Sequence, residues 1–162
     1  MSDAELQAVR ESLLARSRSL RRSLFIRHVD AGSDGGPESE ILALTNPYYD
    51  ISRLGFFLTA SPRHADILMV SGAVTRAMAE PLRVTLAAMP EPRAVIAVGT
   101  AACGGGIDAA DHVLGGIDRV VPVDVYVPGD PPSPLMLLHA LLLAVGRVGQ
   151  RLTATNHRAG GG

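Results

Sequence analysis

The carboxylates best suited to binding chemistry in this sequence lie in two glycine-rich segments. Asp34 is part of Gly32-Ser-Asp-Gly-Gly-Pro37, and Asp130 follows Val127-Pro-Gly129. Together with Glu38, they would offer the hard oxygen ligands that Mg²⁺ or Mn²⁺ prefers. The alternative, which we favour, is that Asp34 caps its own loop or the next helix, while Asp130 is solvated or pairs with an arginine.

The only thiol, that of Cys103, limits the redox chemistry open to the chain. A single cysteine forms no internal disulfide and cannot hold a four-cysteine iron–sulfur or zinc site without outside ligands. We interpret it as a small buried apolar residue beside Gly104-Gly-Gly106. The segment Thr100-Ala-Ala-Cys-Gly-Gly-Gly106 could also cradle a phosphate or flavin through backbone N–H groups. However, the spacing Gly-x-Gly-x-x-Gly of dinucleotide sites is missing.

Three titratable residues, Arg63, His64 and Asp66, are concentrated in Ser61-Pro-Arg-His-Ala-Asp66. They could contact a partner or relay protons. The alternative is a structural turn in which Asp66 pairs with Arg63. The other histidines are too scattered for a metal-ligand spacing, so the sequence predicts no role for them.

The elements that must position these groups follow from hydrophobic periodicity. Buried or extended strand patterns occur in four segments, residues 24–29, 66–72, 94–99 and 120–127. Helical patterns alternate with them at residues 38–44, 76–89 and 133–145. Ser133 and Pro134 suit the N-cap and first turn of the last helix. This alternation predicts a single-domain α/β fold with a parallel, Rossmann- or flavodoxin-like sheet.

The two ends of the chain differ from this central domain. Residues 1–23 predict an amphipathic N-terminal helix whose arginine-rich end either rests on anionic lipid or an acidic partner, or is solvated. Residues 24–148 form the predicted α/β domain. Residues 149–162 are polar, end in three glycines and are predicted to be disordered.

Composition restricts the partners that the chain can have. It is 47% hydrophobic and 19% charged, with a mean hydropathy of +0.22, which predicts apolar surface that meets another protein. A net charge of −1 and 4% aromatic residues argue against nucleic acid. No apolar run is long enough to span a membrane. Arg21-Arg22 resembles an export signal, but Arg27, His28 and Asp30 interrupt the apolar stretch that such a signal needs, so we expect a cytoplasmic location.

Several short segments occur in an order that resembles one family. They are Val29-Asp-Ala-Gly-Ser33, Asn46-Pro-Tyr-Tyr-Asp50, Ser61-Pro-Arg-His-Ala-Asp66, Gly72-Ala-Val-Thr75, Met78-Ala-Glu-Pro-Leu82, Met89-Pro-Glu-Pro92, Ala97-Val-Gly99 and Val127-Pro-Gly129. The family contains the cluster-bearing B-type subunit of NADH:quinone oxidoreductase (complex I). It also contains the small subunits of energy-converting, formate-hydrogenlyase-type NiFe hydrogenases. The resemblance covers roughly residues 24 to 148.

The resemblance implies that four ligands of a 4Fe-4S cluster have been replaced. Family members supply thiolates from Gly-Ser-Cys-x-Gly-Cys-Glu, Val-Gly-x-Cys-Ala and Pro-Gly-Cys-Pro-Pro. The matching positions here are Asp34, Pro37, Ala101 and Asp130. Cluster iron needs soft anionic ligands, so we expect no cluster. We also expect no other bound metal or cofactor and no catalytic residue.

The resemblance also implies a function. We expect a cluster-free structural subunit that docks a large-subunit homologue to an ion-translocating membrane arm. It would lie at the inner face of the cell membrane, held there peripherally through its partners. Glu38, Arg63, His64 and Asp66 are the candidate contacts. The alternatives are a subunit that completes a quinone-type pocket in a redox complex, or an independent flavin- or nucleotide-binding module.

Overall fold

The computed structural model describes residues 23–106 and 111–146. Residues 1–22 of the predicted N-terminal helix, and the predicted tail, lie outside these ranges. The strands are β1 (Leu24–Asp30), β2 (Phe56–Leu58), β3 (Ile67–Ser71), β4 (Val74–Thr75), β5 (Ala94–Val98), β6 (Val113–Gly115) and β7 (Val125–Val127). The α-helices are α1 (Gly36–Ala43), α2 (Arg76–Ala88), α3 (Thr100–Gly104) and α4 (Pro134–Ala144).

Five of the strands form one parallel sheet in the order β2-β1-β3-β5-β7. Counted within this sheet alone, the order is 2-1-3-4-5, which is that of flavodoxin-like proteins. The sheet confirms the predicted α/β class. The strand order reverses between β1 and β3, and at such a switch point the loops diverge and leave a crevice at the carboxyl ends of the strands.

The sheet is buried on both faces because its central strands are apolar at every position. In β3, Ile67 and Met69 face the layer formed by α1 and α4, whereas Leu68 and Val70 face the layer that contains α2 and α3. All four side chains are at most 1% exposed. Continuous apolar runs are typical of parallel strands covered by helices on both sides.

Local sequence signals start the two longest helices. The Ser133 Oγ accepts the N–H of Met136 at 3.4 Å, with Pro134 in the first turn of α4. The Thr75 Oγ1 accepts the N–H of Met78 at 3.3 Å at the start of α2. Both caps satisfy N–H groups that a helix cannot pair internally. No helix in the described part of the chain is long and apolar enough to cross a membrane.

Some elements differ from those predicted by periodicity. The predicted extended segment 120–127 forms a strand only at Val125–Val127, and a 3₁₀ turn at Ile117–Arg119 precedes it. Pro122 lacks the N–H that a longer strand would need. Neither the three-residue edge strand β2 nor the antiparallel pair of β4 and β6 is predicted by periodicity. Segments this short show too few periods to be recognised.

Candidate functional site

A concave pocket of about 710 Å³ lies at the carboxyl ends of the sheet strands. The loops after β1, β3, β5 and β7 all contribute to its lining. The four positions at which the resemblance predicts a lost cluster ligand, Asp34, Pro37, Ala101 and Asp130, all line this pocket. The fold therefore brings together residues that are nearly 100 positions apart in the sequence.

Close backbone packing holds the first of these loops against the end of β3. Gly72 follows β3 with φ +74°, and a Cβ placed there would lie 2.2 Å from the backbone nitrogen of Ser33. Gly32 is equally confined, because its Cβ would lie 2.5 Å from the carbonyl oxygen of Ala73. Only glycine combines this backbone conformation with so close an approach. The two loops consequently form one wall of the pocket.

The donor atoms in this lining do not fit a four-thiolate cluster. Pro37 and Ala101 have no side-chain donor, and Asp34 and Asp130 offer hard oxygen atoms. The single thiol, at Cys103, is half-buried and packs with the core layer that contains α2. Its Sγ lies 3.8 Å from the carbonyl oxygen of Ala97. Burial raises the pKa of this thiol, which disfavours the thiolate form that binds iron.

The two carboxylates of the pocket differ in their surroundings. The Asp34 Oδ1 accepts the N–H of Gly36 at 3.0 Å and so closes a turn of its own loop where α1 begins, which agrees with the alternative in which Asp34 caps its own loop. Asp130 is exposed. Within residues 23–106 and 111–146, no three His, Cys, Asp or Glu side chains are arranged to hold a metal ion. Glu38 is therefore not grouped with Asp34 and Asp130 in such an arrangement.

Glu38 instead lies at the centre of a hydrogen-bond network beside the pocket. Its Oε2 accepts the hydroxyl of Ser33 at 2.7 Å, and its Oε1 accepts the hydroxyl of Ser71, which is fully buried at the end of β3. The Ser33 Oγ also accepts the N–H of Gly35 at 3.2 Å. The network ties the first pocket loop to helix α1 and to the sheet.

His28 completes this network from β1. Its Nε2 lies 2.8 Å from the Ser71 Oγ and 3.5 Å from the Glu38 Oε1. Because the Ser71 hydroxyl donates to Glu38, it must accept from His28, which assigns the proton to Nε2. Burial lowers the pKa of His28, although the charges of Glu38 and Asp30 oppose this shift.

The sequence alone predicts no role for His28 or Ser71. The alternation of side chains along β1 and β3 puts both residues on the face of the sheet that packs against α1. The strand register then decides the contact between His28 and Ser71. Asp30 pairs with Ser71 and His28 with Met69, so His28 and Ser71 are diagonal neighbours on this face. Strand pairing is a tertiary property, so no local signal could have joined His28 to Ser71.

Arg63, His64 and Asp66 lie at the opposite end of the sheet, around a separate cavity of about 450 Å³ that Phe25 also lines. Arg63 and His64 are exposed, whereas Asp66 is only 8% exposed. The Asp66 Oδ2 accepts the N–H of Phe25 at 3.0 Å. The three predicted contact residues are thus brought together, but Glu38 is not among them.

A third cavity, of about 720 Å³, is an apolar groove between β7 and α4. Leu135 and Met136 line it and are exposed. None of the candidate residues lies there. The groove contributes apolar surface of the kind that the composition predicts.

The fold and the pocket first define a class: a flavodoxin-like α/β domain with a glycine-lined crevice at the switch point of its sheet. The family model for the 20 kDa subunit of NADH ubiquinone oxidoreductase matches residues 35–144. The chain belongs to this family, which confirms the family predicted from the ordered segments.

Two relatives and one solved structure agree with this membership. The chain is 40% identical over 153 residues to formate hydrogenlyase subunit 7 of Escherichia coli, covering 94% of this chain and 59% of that protein. It is 36% identical over 152 residues to the probable membrane-bound hydrogenase subunit mbhJ of Pyrococcus furiosus, covering 93% and 91%. A chain of the archaeal membrane-bound sulfane sulfur reductase, a respiratory membrane complex, superposes with a TM-score of 0.65 at 29% identity, covering 81% of this chain and 71% of that one.

The two relatives are named as subunits, and the Pyrococcus furiosus hydrogenase and the archaeal reductase are named as membrane-bound, so the chain belongs to a family of complex subunits. It spans about three-fifths of the formate hydrogenlyase subunit.

Proposed function

We propose that this chain is a cluster-free structural subunit of a complex I-like or NiFe-hydrogenase-like assembly at a membrane. It docks a homologue of the large subunit to an ion-translocating membrane arm and carries no electrons itself. The observation that carries the proposal is the lining of the pocket, in which Asp34, Pro37, Ala101 and Asp130 stand at the predicted ligand positions and supply no thiol.

The chemistry of these residues supports a change of function rather than a weakened cluster. Loss of one thiolate can be compensated by another ligand, but loss of all four leaves iron no soft anionic donor in the pocket. The close packing around Gly72, by contrast, is intact. A chain that keeps the shape of the pocket and lacks its redox ligands is expected to function by binding partner subunits through its surface.

The experiment is anaerobic reconstitution of the full chain with iron and sulfide, followed by an iron assay and electron paramagnetic resonance. The wild-type chain should bind iron far below stoichiometry and give no cluster signal. The matched control carries Asp34→Cys, Pro37→Cys, Ala101→Cys and Asp130→Cys together, which restores four thiols around one pocket. A stoichiometric 4Fe-4S signal from the wild-type chain would refute the proposal.

A second function is favoured by the cavity beside Arg63, His64 and Asp66. Neighbouring subunits would carry the electrons, and this cavity would complete a quinone-type pocket in the assembled complex. Its aromatic side chain at Phe25 and its exposed cationic group at Arg63 suit a ring that carries polar oxygens.

This alternative predicts that Arg63→Ala or His64→Ala lowers quinone-linked turnover of the complex. Arg53→Ala is the matched control, because Arg53 is 72% exposed, pairs with Asp50 and lies outside the cavity. Turnover that stays at the wild-type level in the Arg63 and His64 variants would count against a quinone-type pocket here.

A further inference from the structure

The pocket at the carboxyl ends of the strands carries negative charge that the described residues do not neutralise. Asp34 and Asp130 line it, and the only other titratable side chain in the described lining is the exposed His112. No arginine is among these described lining residues. The Asp34 Oδ1 accepts the N–H of Gly36, and both Asp34 and Asp130 are exposed. The negative charge of these two carboxylates is therefore available to pair with a cationic group from another molecule.

The rest of the described lining consists of glycine backbone, the hydroxyl groups of Ser33, Thr75 and Thr100, and several apolar side chains. Val98 is fully buried, Pro37 is buried, and Ala101 is partly covered. A volume of about 710 Å³ lies within the range of roughly 300–1,000 Å³ that is usual for pockets that receive a ligand. An occupant with an apolar stem and a cationic head would match both parts of this lining.

We propose that the pocket receives an arginine side chain of a partner subunit. The guanidinium would pair with the carboxylates of Asp34 and Asp130, and its aliphatic stem would pack against Pro37 and Ala101. Arginine fits better than lysine, because its planar fork binds carboxylates through two parallel hydrogen bonds and is more weakly hydrated. The inference rests on the proposed function and names the chemistry by which this pocket binds a partner.

Other occupants fit the lining less well. A divalent cation of the calcium type takes six to eight oxygen ligands, and the described residues place no group of three metal-binding side chains together. A phosphate would meet two carboxylates and no described arginine in the lining. Both remain as outcomes of the test.

The direct test is a nuclear magnetic resonance titration of the full chain with N-acetyl-arginine amide. The amides of the pocket loops should shift saturably. N-acetyl-citrulline amide, which has nearly the same shape and no charge, should bind at least tenfold more weakly. Asp34→Asn with Asp130→Asn should weaken arginine binding at least fivefold, since asparagine can still accept the N–H of Gly36. Glu80→Gln removes the same kind of charge from the exposed face of α2 and should have no effect.

Equal binding of citrulline, or no saturable shift with arginine, would overturn the inference. So would MgCl₂ or inorganic phosphate shifting the same amides when arginine does not.

A second measurement separates this inference from the proposed function. The full chain is co-expressed and purified with a large-subunit homologue from the same genome, with Asp34→Arg and Asp130→Arg in one arm and both asparagine substitutions in the other. Yield of the complex should fall at least tenfold on charge reversal and severalfold on neutralisation. If the complex forms equally well in all arms, the arginine is absent and the docking function survives. If the wild-type chain forms no complex, the docking function itself fails.

Discussion

The buried hydroxyl of Ser71 is predicted to be the most sensitive point of the network that holds the first pocket loop. Replacement by alanine removes the bond that Ser71 donates to Glu38 and the one that it accepts from His28. Ser71 is completely buried, whereas the side chains of Glu38 and His28 are 25% and 23% exposed. Water can therefore reach the partners in part, but not the space that the hydroxyl occupied.

The two lost hydrogen bonds and the partial exposure of their partners set the expected loss in the free energy of unfolding. A hydrogen bond to a charged group contributes about 1.5–3 kcal/mol, and one between neutral groups contributes about 0.5–1.5 kcal/mol. Partial solvation of Glu38 and His28 reduces the sum. We expect Ser71→Ala to lower the free energy of unfolding by about 2 kcal/mol, at the lower end of the range for charged partners. A domain of ordinary stability would remain folded after this loss.

The assay is urea unfolding followed by circular dichroism, with two controls. Ser39→Ala removes an exposed hydroxyl that donates to the carbonyl of Gly35, the residue just before the same helix, and it should change stability by less than about 0.5 kcal/mol. In a Glu38→Gln background, Ser71→Ala should cost about 1 kcal/mol less, because the two residues act as a pair. A cost below about 0.5 kcal/mol in the wild-type background, or the same cost in both, would refute the network as described.

Four further predictions concern other parts of the molecule. Gly72→Ala should prevent the first pocket loop from packing, because its Cβ would lie 2.2 Å from the Ser33 nitrogen at φ +74°; soluble yield and thermal melting test this, and a wild-type melting temperature would contradict it. Leu137→Ala should cost about 2–5 kcal/mol in urea unfolding, whereas Leu135→Ala, at 65% exposed, should cost under about 0.5 kcal/mol. Stability should fall as pH is lowered from the unfolded-state histidine pKa of 6.5 towards the lower pKa of folded His28, because the unfolded chain binds that proton more readily; His28→Asn should flatten this dependence, and an unchanged slope would count against it. Cys103 should react with a thiol reagent more slowly in the folded than in the urea-unfolded chain, since burial raises its pKa, and equal rates would contradict this.

Much of the fold could be predicted because its signals are local. The continuous apolar runs before Gly72 and Gly99 indicate strands buried on both faces, and the Ser133-Pro134 pair marks the start of a helix. Strand β2 could not be predicted in the same way, because three edge residues carry too little periodicity. The short helix α3 is equally hard to predict from the sequence, since its alanine and glycine residues form no apolar stripe.

For the candidate site too, the sequence predicts some features and the fold alone decides others. The identities of Asp34, Pro37, Ala101 and Asp130 are fixed by the sequence, and they alone decide that the pocket lacks thiolates. Their positions around one pocket depend on parallel pairing of β1, β3, β5 and β7, which joins loops that are distant in the chain. The tertiary structure also decided that Glu38 bonds to Ser33 and Ser71 rather than lying beside Arg63, since the start of helix α1 and the 61–66 segment lie at opposite ends of the sheet.

The sequence by itself determined the α/β class, the family and the chemistry absent from the ligand positions, because composition, periodicity and residue type are local properties. Only the tertiary structure decided which groups meet: His28 with Ser71 through strand register, and two carboxylates around a pocket with no described arginine in its lining. Register and loop convergence arise from burying both faces of the sheet at once. Burial of both faces depends on the packing of the whole domain, so it cannot be predicted from any single segment of the sequence.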